Sequence, residues 1–469
     1  MIIRVAFLIS LILSVTPFLR AKCIGSVNNE GLLVSAIKIT GNTLTHDRII
    51  FRELTFKVGD TLSKEDIELI AKESKENLDN TLLFNFVTIE PQINGKFVEW
   101  NVDVVERWYI WPFPIFEYED RNLSAFLKNG NLKRVNYGTY IKVDNFRGMR
   151  EQIKIRAVLG YRKQISLQYL TQNLDREKKH GLSVWVSYFT NHEVNHATVG
   201  NKPHYFIADN GPARGVWFGY FSYQYRPKYY WYHTFTLGSV HASINDSLAS
   251  LSPNYFGNGK TSFWYTTARY EAILDKRDLR IFPLSGYLIK TEMGRIGFFE
   301  NEPIGLWYLK ATAGVYSKIA PRFYGGMDIM VKSSTQTNLP YFMNEAVGYK
   351  DYVRGYEHYV TNGSNFFINK NSLKFELLPT KVFNLPFIRE GKFKKAHLAL
   401  YWSLFGDLGY VKPDRLTPPN SLEGNLFVGY GTGLYAVAYY DIVLRIEYSF
   451  NKFGERGIFF HVGTPFLNR

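Results

Sequence analysis

The chain is poor in cysteine and in long apolar runs, and each shortage excludes something. Among 469 residues there is a single cysteine, Cys23, so a disulfide scaffold, a thiol redox couple and a cysteine-ligated metal site cannot be built within one chain. The one extended apolar run, residues 5–15, is shorter than the roughly 17–25 residues a membrane-spanning helix needs, and no later stretch reaches that length without charge. Following Arg4 and preceding Thr16 and Pro17, that run reads as part of a secretory signal peptide over residues 1–25, cleaved between Ala21 and Gly25. Lys22 stands where a lipoprotein signal places a small residue, so no lipid is expected on Cys23. Clustered positive charge is missing as well. The 56 Lys+Arg exceed the 42 Asp+Glu by a formal +14 but are spread along the chain, which in an exported protein argues against a nucleic-acid partner.

Aromatic residues, by contrast, make up 17% of the chain, far too many for a disordered segment. They accompany two textures. Over residues 31–107 the pattern is mixed. A β run at 35–40 is followed by a short helix carrying Ile49, Ile50 and Leu54, with Thr45 as its expected cap. Ser63 with Asp66 resembles a capping box, and Ile67, Ile70, Ala71, Ser74 and Leu78 then recur at helical spacing. Two further β runs follow. In the second, Val98, Trp100, Val102 and Val104 alternate with Glu99, Asn101 and Asp103. The order β-α-α-β-β makes one small α+β domain.

From residue 108 to 469 the texture changes to runs of roughly ten residues that alternate in polarity, divided by Gly, Asn, Asp and Pro turns, the signature of a transmembrane antiparallel β-barrel. Ile442, Leu444, Ile446, Tyr448 and Phe450 alternate with Arg445, Glu447 and Ser449. Leu398, Leu400, Trp402 and Leu404 alternate with His397, Tyr401, Ser403 and Asp407, and Leu373, Phe375 and Leu377 with Lys374 and Glu376. One face suits lipid and the other a wet lumen. A soluble β-sandwich would also alternate, but it gains nothing from Tyr, Trp and Phe near strand ends, which a barrel uses as interfacial girdles. Between residues 109 and 466 we count about sixteen strands, an even number as in single-chain bacterial barrels. The count is least secure over residues 191–213.

At this point the chain resembles the BamA/TamA superfamily of outer-membrane assembly and translocation proteins. Residues 31–107 resemble a POTRA module through "VSAIKITGNTLTHDRIIFREL", "KVGDTLSKEDI" and "VEWNVDVVER". Asp275, Arg277 and Asp278, with Pro283 and Gly286, resemble the family's turn between strands. Val353-Arg354-Gly355-Tyr356 resembles its VRG-aromatic motif on a loop tucked into the lumen, and Phe405, Asp407 and Gly409 fit its F-x-D-x-G pattern one strand further on. Better-known members carry several POTRA modules, whereas this chain shows one.

The resemblance implies a membrane all-β protein in the bacterial outer membrane, with its POTRA domain in the periplasm. It implies that Arg354 pairs with Asp407 to lock the loop, and that the first and last strands, at 109–118 and 458–466, meet at a weak seam. Pro112 and Pro114 remove two backbone donors from the first of these. The partners implied are outer-membrane lipid, unfolded or nascent polypeptide clients and periplasmic accessory proteins, with the work driven by client folding rather than by a nucleotide. No cofactor, metal or catalytic residue is expected. The alternative is a passive outer-membrane pore or surface antigen. His192-Glu193-Val194-Asn195-His196 is a literal H-E-x-x-H, but zinc proteases need that motif on a helix, and its flanks read as β and turn.

Overall fold

A computed structural model describes residues 31–118, 135–175, 177, 179–384, 395–413, 420–438 and 442–463. The expected signal peptide and Phe466 lie outside these.

The N-terminal module folds as β1 (Leu32–Thr40), α1 (Asp47–Phe51), β2 (Thr61–Leu62), α2 (Ile67–Asp79), β3 (Phe84–Asn94) and β4 (Phe97–Glu106), with the sheet ordered β2-β1-β4-β3. The period-2 pattern of β4 does what it predicts: Val98, Trp100 and Val102 are fully buried, and Trp100 stacks on Phe56 at 4.4 Å. Truncating an aromatic of that kind costs about 3–5 kcal/mol. β2 is an addition to the expected order, too short for any alternation to register. Neither expected cap forms. Ser63 makes no side-chain cap and a 3-10 turn, Lys64–Asp66, leads into α2 instead. The residue capping α1 is His46, because the Thr45 hydroxyl is drawn to Glu106 at 2.6 Å. That buried carboxylate also accepts from the Thr45 N–H at 2.7 Å and the Thr43 hydroxyl at 2.6 Å. Burial alone would raise the Glu106 carboxyl, and these donors bring it below the usual range.

The remainder is a sixteen-stranded antiparallel sheet. Its strands are β5 (Ile110–Tyr118), β6 (Val135–Phe146), β7 (Glu151–Gly160), β8 (Arg162–Thr171) and β9 (His180–Asn191), then, after the hairpin β10 (Glu193–Val199) and β11 (Lys202–Ile207), β12 (Arg214–Tyr225), β13 (Trp231–Ile244), β14 (Ser262–Asp275) and β15 (Gly286–Ile296). It continues through β16 (Leu306–Ala320), β17 (Phe323–Ser334), β18 (Phe366–Asn384), β19 (Lys395–Val411), β20 (Leu426–Ala438), β21 (Ile442–Asn451) and β22 (Arg456–Gly463). Each strand pairs with its sequence neighbour, except that β9 pairs directly with β12. The doubtful region thus holds two strands that form their own small sheet and leave the count at sixteen. Along β19, Trp402 and Leu404 are exposed while Tyr401, Ser403, Phe405 and Asp407 are buried; along β21, Leu444 and Ile446 are exposed and Glu447 and Ser449 buried. Apolar residues outward and polar residues inward make this a membrane barrel with a filled lumen.

The two ends of the barrel differ. At the module's end the connections are short. At the other end the β10–β11 hairpin, a helix α3 (Asp246–Leu251) capped by Asn245, the loop at 335–365 and residues 420–425 fold over the opening. Ala213, Tyr255, Phe256, Phe263 and Tyr341 form an apolar core beneath the hairpin, the helix and the 335–365 loop. The hairpin tip has positive φ at both Gly200 and Asn201, as a type I′ turn requires. It reaches across to residues 420–425, where the Asn201 side chain donates to the Ser421 hydroxyl at 2.6 Å.

Candidate functional site

Residues 335–365, between β17 and β18, bend into the lumen against β19, β20 and β21. The room is made by glycines on the wall. A Cβ on Gly429 would sit 1.7 Å from the Arg354 carbonyl oxygen, and one on Gly409 would meet both Phe427 and Val353 at 2.8 Å or less. Gly355 itself has φ +90°, a conformation that residues with a Cβ rarely adopt. Val353 and Tyr356 are fully buried, the Tyr356 hydroxyl donating to the Val428 carbonyl at 3.2 Å.

The structure brings Arg354 and Asp407 together. The guanidinium donates through Nε to Oδ2 at 2.8 Å and through Nη2 to Oδ1 at 2.6 Å, a two-pronged contact, while the Arg354 N–H reaches Oδ2 at 3.2 Å. Nη2 also meets the Asn371 carbonyl at 3.0 Å, and the planar group lies over the Phe405 ring at 4.1 Å. Both side chains of the pair are almost wholly inaccessible. Such forked, charge-assisted bonds orient as well as attract. Phe405, Asp407 and Gly409 therefore share one face of β19, and all three touch the loop.

The turn residues gather at the opposite, module-facing end. Arg277 forks onto Asp275 at 2.8 and 2.9 Å, Asp278 accepts from the Leu284 N–H at 3.1 Å, and a Cβ on Gly286 would lie 2.0 Å from the Lys276 carbonyl oxygen. The knob this makes pushes Phe282 into the barrel mouth against Tyr401 and Tyr435, and the Pro283 carbonyl accepts from Lys374 at 3.0 Å. Tyr435 also lies 3.4 Å from Arg354 Nη1. The two motifs thus meet at one tyrosine, beside a cavity of about 240 Å³ lined by Phe282, Lys374, Arg354 and Arg445 among others.

β5 and β22 stand at the two ends of the sheet order, and among the described residues no ladder joins them. Pro112 and Pro114 have the same parity along β5, whose other edge pairs with β6 without interruption from Ile110 to Tyr118. Proline is tolerated in a strand where its missing donor faces away from the paired neighbour, so both gaps fall on the seam.

Residues 32–107 match the family model described as POTRA, surface antigen variable number repeat. The fold is similar to that of BamA from Haemophilus ducreyi lacking POTRA domains 1-3, with 13% identity, a TM-score of 0.51 and coverage of 92% of this chain and 84% of that one. It is also similar to CdiB from Escherichia coli, with 11% identity, a TM-score of 0.54 and coverage of 93% and 76%. The chain thus joins a POTRA module to a sixteen-stranded barrel, the fold those two structures share. No curated protein sequence matches it.

One site of this POTRA–barrel protein was not anticipated from its sequence, namely the joint between its two parts. Glu53, at the end of α1, is 2% exposed and receives Arg226 from the β12–β13 turn at 2.5 and 2.7 Å, and Arg150 from the β6–β7 turn at 3.1 Å. Burial alone would raise this carboxyl, but the arginines hold it at about 2. Around it, Tyr229 donates to the Leu54 carbonyl and Asn80 donates to the Asp278 carbonyl at 3.1 Å, so the POTRA domain grips the same knob that enters the barrel mouth. The signal available in the sequence was the placement of Arg150 and Arg226 next to short turns.

Of the H-E-x-x-H residues, Glu193 and His196 lie inside β10 and His192 at the bend before it, so no helix sets the two imidazoles on one face. Among the described residues they form no group of converging ligand atoms. Glu193 is instead held by the Tyr161 hydroxyl at 2.8 Å.

Proposed function

We propose that this protein sits in the bacterial outer membrane, with its POTRA domain in the periplasm, and assists the insertion or translocation of other polypeptides. The observation that carries the reading is that, among the described residues, no ladder joins β5 to β22 in a barrel whose lumen is already plugged. A hydrocarbon environment penalises unpaired strand edges, so a barrel that keeps a weak seam offers a template on which an incoming strand can pair. The plug argues against a passive pore, since residues 335–365 fill the space a solute would cross. Arg354 and Asp407 hold that plug, and the knob formed by Asp275, Arg277, Asp278, Pro283 and Gly286 passes the POTRA domain's position to the barrel mouth.

In the POTRA domain the edge offered to clients or periplasmic accessory proteins is β3. The opposite edge, β2, is two residues long, whereas β3 runs for eleven and pairs only with β4. Strand addition there relies on backbone hydrogen bonds and asks little of the client's side chains. No nucleotide is required, because client folding supplies the free energy.

The test places a photo-crosslinking residue at Gln92, an exposed position of β3, in living cells. Capture of outer-membrane or exported polypeptides in transit is the expected result. If nothing is captured, and depletion of the protein lowers solute uptake while leaving the outer-membrane proteome and surface display unchanged, the pore reading replaces this one.

A further inference from the structure

Next to the Arg354 contact, three ligand-type atoms converge with nothing between them. Glu447 on β21 is fully buried. Its Oε1 accepts from the Tyr435 hydroxyl at 2.8 Å, whereas its Oε2 takes part in no hydrogen bond. Glu357, on the loop, repeats the arrangement: Oε2 accepts from the Gly355 N–H at 2.8 Å and Oε1 has no hydrogen-bond partner. His461 on β22 aims its Nε2 at both, 3.3 Å from Glu447 Oε2 and 3.9 Å from Glu357 Oε1, again without a hydrogen bond. Its ring stacks on Tyr352 at 5.6 Å and 18°, which fixes the direction in which Nε2 points. The three atoms lie within 4.8 Å of one another, the one such group of His, Cys, Asp or Glu among the described residues.

When both carboxyls are ionised their oxygens only accept, and the third atom is an imidazole nitrogen that can carry one proton. A single N–H points along one line, so protonating His461 satisfies one oxygen and leaves the other bare. A divalent ion satisfies all three at once. Zinc takes histidine nitrogen and carboxylate oxygen at about 2.0–2.2 Å and uses three protein ligands plus water in open sites. Ligands around such an ion sit roughly 3–3.5 Å apart by tetrahedral geometry. The 3.3 Å pair already meets that separation, the 3.9 Å pair needs to close by a few tenths of an ångström, and the two carboxylate oxygens, which lie within 4.8 Å of each other, draw together round the ion through their side-chain torsions. Arg445 and Arg354 approach Glu447 from its other oxygen, Oε1, at 3.8 and 4.0 Å. They lie on the side of Oε1 and leave the oxygen turned inward to the cluster.

We propose that Glu357, Glu447 and His461 bind a divalent transition-metal ion of the zinc class, and that the ion staples the lumenal loop to the terminal barrel strand. The three ligands come from three different pieces of the molecule: the plug, the wall strand β21, and β22, whose outer edge is the seam. Among the described residues β22 pairs by one ladder, with β21, and meets the loop through ring contacts of His461 with Tyr352 and of Phe459 with His358. An ion at this point adds a coordinate attachment between the seam strand and the loop that Arg354 anchors. The site stands or falls independently of whether the barrel handles clients.

The test uses the full-length protein without a histidine tag, stripped with a chelator in detergent and titrated with Zn²⁺ by calorimetry, with Co²⁺ absorbance as a report on the ligand set. The expected result is one saturable ion per chain, weakened in His461→Ala and in Glu357→Gln by more than the roughly 10–100-fold loss that follows removal of an outer partner. Zn²⁺ should also raise the temperature at which the parent barrel unfolds in SDS, and should not do so for His461→Ala. The doubly substituted His192→Ala/His196→Ala protein should bind like the parent. Absence of saturable binding, equal binding by His461→Ala, or loss only in the His192/His196 protein would each overturn the proposal. If His461→Ala does not fold, Glu357→Gln, a change confined to the loop, decides by the same two readouts.

Discussion

The lumenal lock and the POTRA joint are both buried arginine–carboxylate clusters, and the docked element brings the cation to one and the anion to the other. In the lumen the barrel wall contributes Asp407 and Glu447, the latter with Arg445 of the same strand 3.8 Å away, and the loop brings Arg354, which forks onto Asp407. At the mouth the barrel turns contribute two cations, Arg150 and Arg226, and the POTRA domain brings the anion, Glu53. In each case the docked element supplies the partner of a buried barrel charge. Removing it leaves that charge in a poorly solvated site without its counter-ion, which destabilises the barrel's side of the contact.

The largest effect should come from Arg354→Ala. It leaves Asp407, wholly inaccessible, without the guanidinium that forks onto it, and breaking a buried pair in this way costs about 3–5 kcal/mol. The barrel's resistance to heating in SDS, followed by its shift on a gel, should fall clearly. Arg354→Lys should restore part of it, since an ammonium lacks the fork that meets both Asp407 oxygens. Unchanged heat resistance in Arg354→Ala would mean the pair holds nothing.

Glu53→Gln is the matching change at the mouth, and its effect should be smaller. The Arg226 and Arg150 side chains are 13% and 15% exposed, so water can relieve them once the carboxylate is gone, and about 1.5–3 kcal/mol is the range for hydrogen bonds to a charged group. The POTRA domain should loosen, visible as faster hydrogen exchange in α1 and at residues 276–285, while the barrel's heat resistance stays at the parent value. Acid should mimic this change. The folded-state value of Glu53, about 2, lies below its ordinary 4.5, so its contribution is fully present above pH 4.5 and is lost as pH falls through 2. Exchange at the joint that rises between pH 8 and 6 would contradict this assignment.

Gly429→Ala sharpens the comparison from the side of shape. Its Cβ would fall 1.7 Å from the Arg354 carbonyl oxygen, a backbone atom that cannot swing aside. Forcing a methyl group into a filled site costs about 1–3 kcal/mol. The heat resistance of the barrel should drop by less than in Arg354→Ala. An equal or larger drop would mean that the fit of the loop backbone, and not its charge, holds the plug.

The Arg354–Asp407 contact was legible in part, since alternation turned Asp407 inward while the pairing itself came only from the family resemblance. Period-2 alternation along β19 places Asp407 on the same face as Tyr401 and Ser403, and the Val353–Tyr356 motif stands in the long irregular stretch before it. The joint gave no comparable signal. Glu53 looks like an ordinary charge at the end of a short helix, and its partners are 97 and 173 residues away. Local rules also lost where a distant partner competed, as when the Thr45 hydroxyl went to Glu106 rather than capping α1. The β10–β11 hairpin alternates like any barrel strand, and only its tight Gly200-Asn201 turn and its contact with residues 420–425 set it apart. The Glu357, Glu447 and His461 cluster was beyond reach for the same reason as the joint, since periodicity orients a residue towards the lumen but does not say which lumenal residues meet.

The smallest expected effect isolates a hydrogen bond that ties the POTRA domain to the knob in the barrel mouth. Asn80→Ala removes a donor to the Asp278 carbonyl at 3.1 Å without touching any charge. Asp278 lies in the turn whose Phe282 packs on Tyr435, and Tyr435 in turn lies beside Arg354. A neutral hydrogen bond contributes about 0.5–1.5 kcal/mol, so exchange at residues 276–285 should quicken modestly while α1, still held through Glu53, keeps the parent rate. If α1 quickens as much as the knob, the joint opens as one unit and the division of labour between Glu53 and Asn80 is wrong. If exchange also rises at Val353 and Tyr356, the knob transmits the POTRA domain's position as far as the lumenal loop, and the two charge clusters are halves of one device.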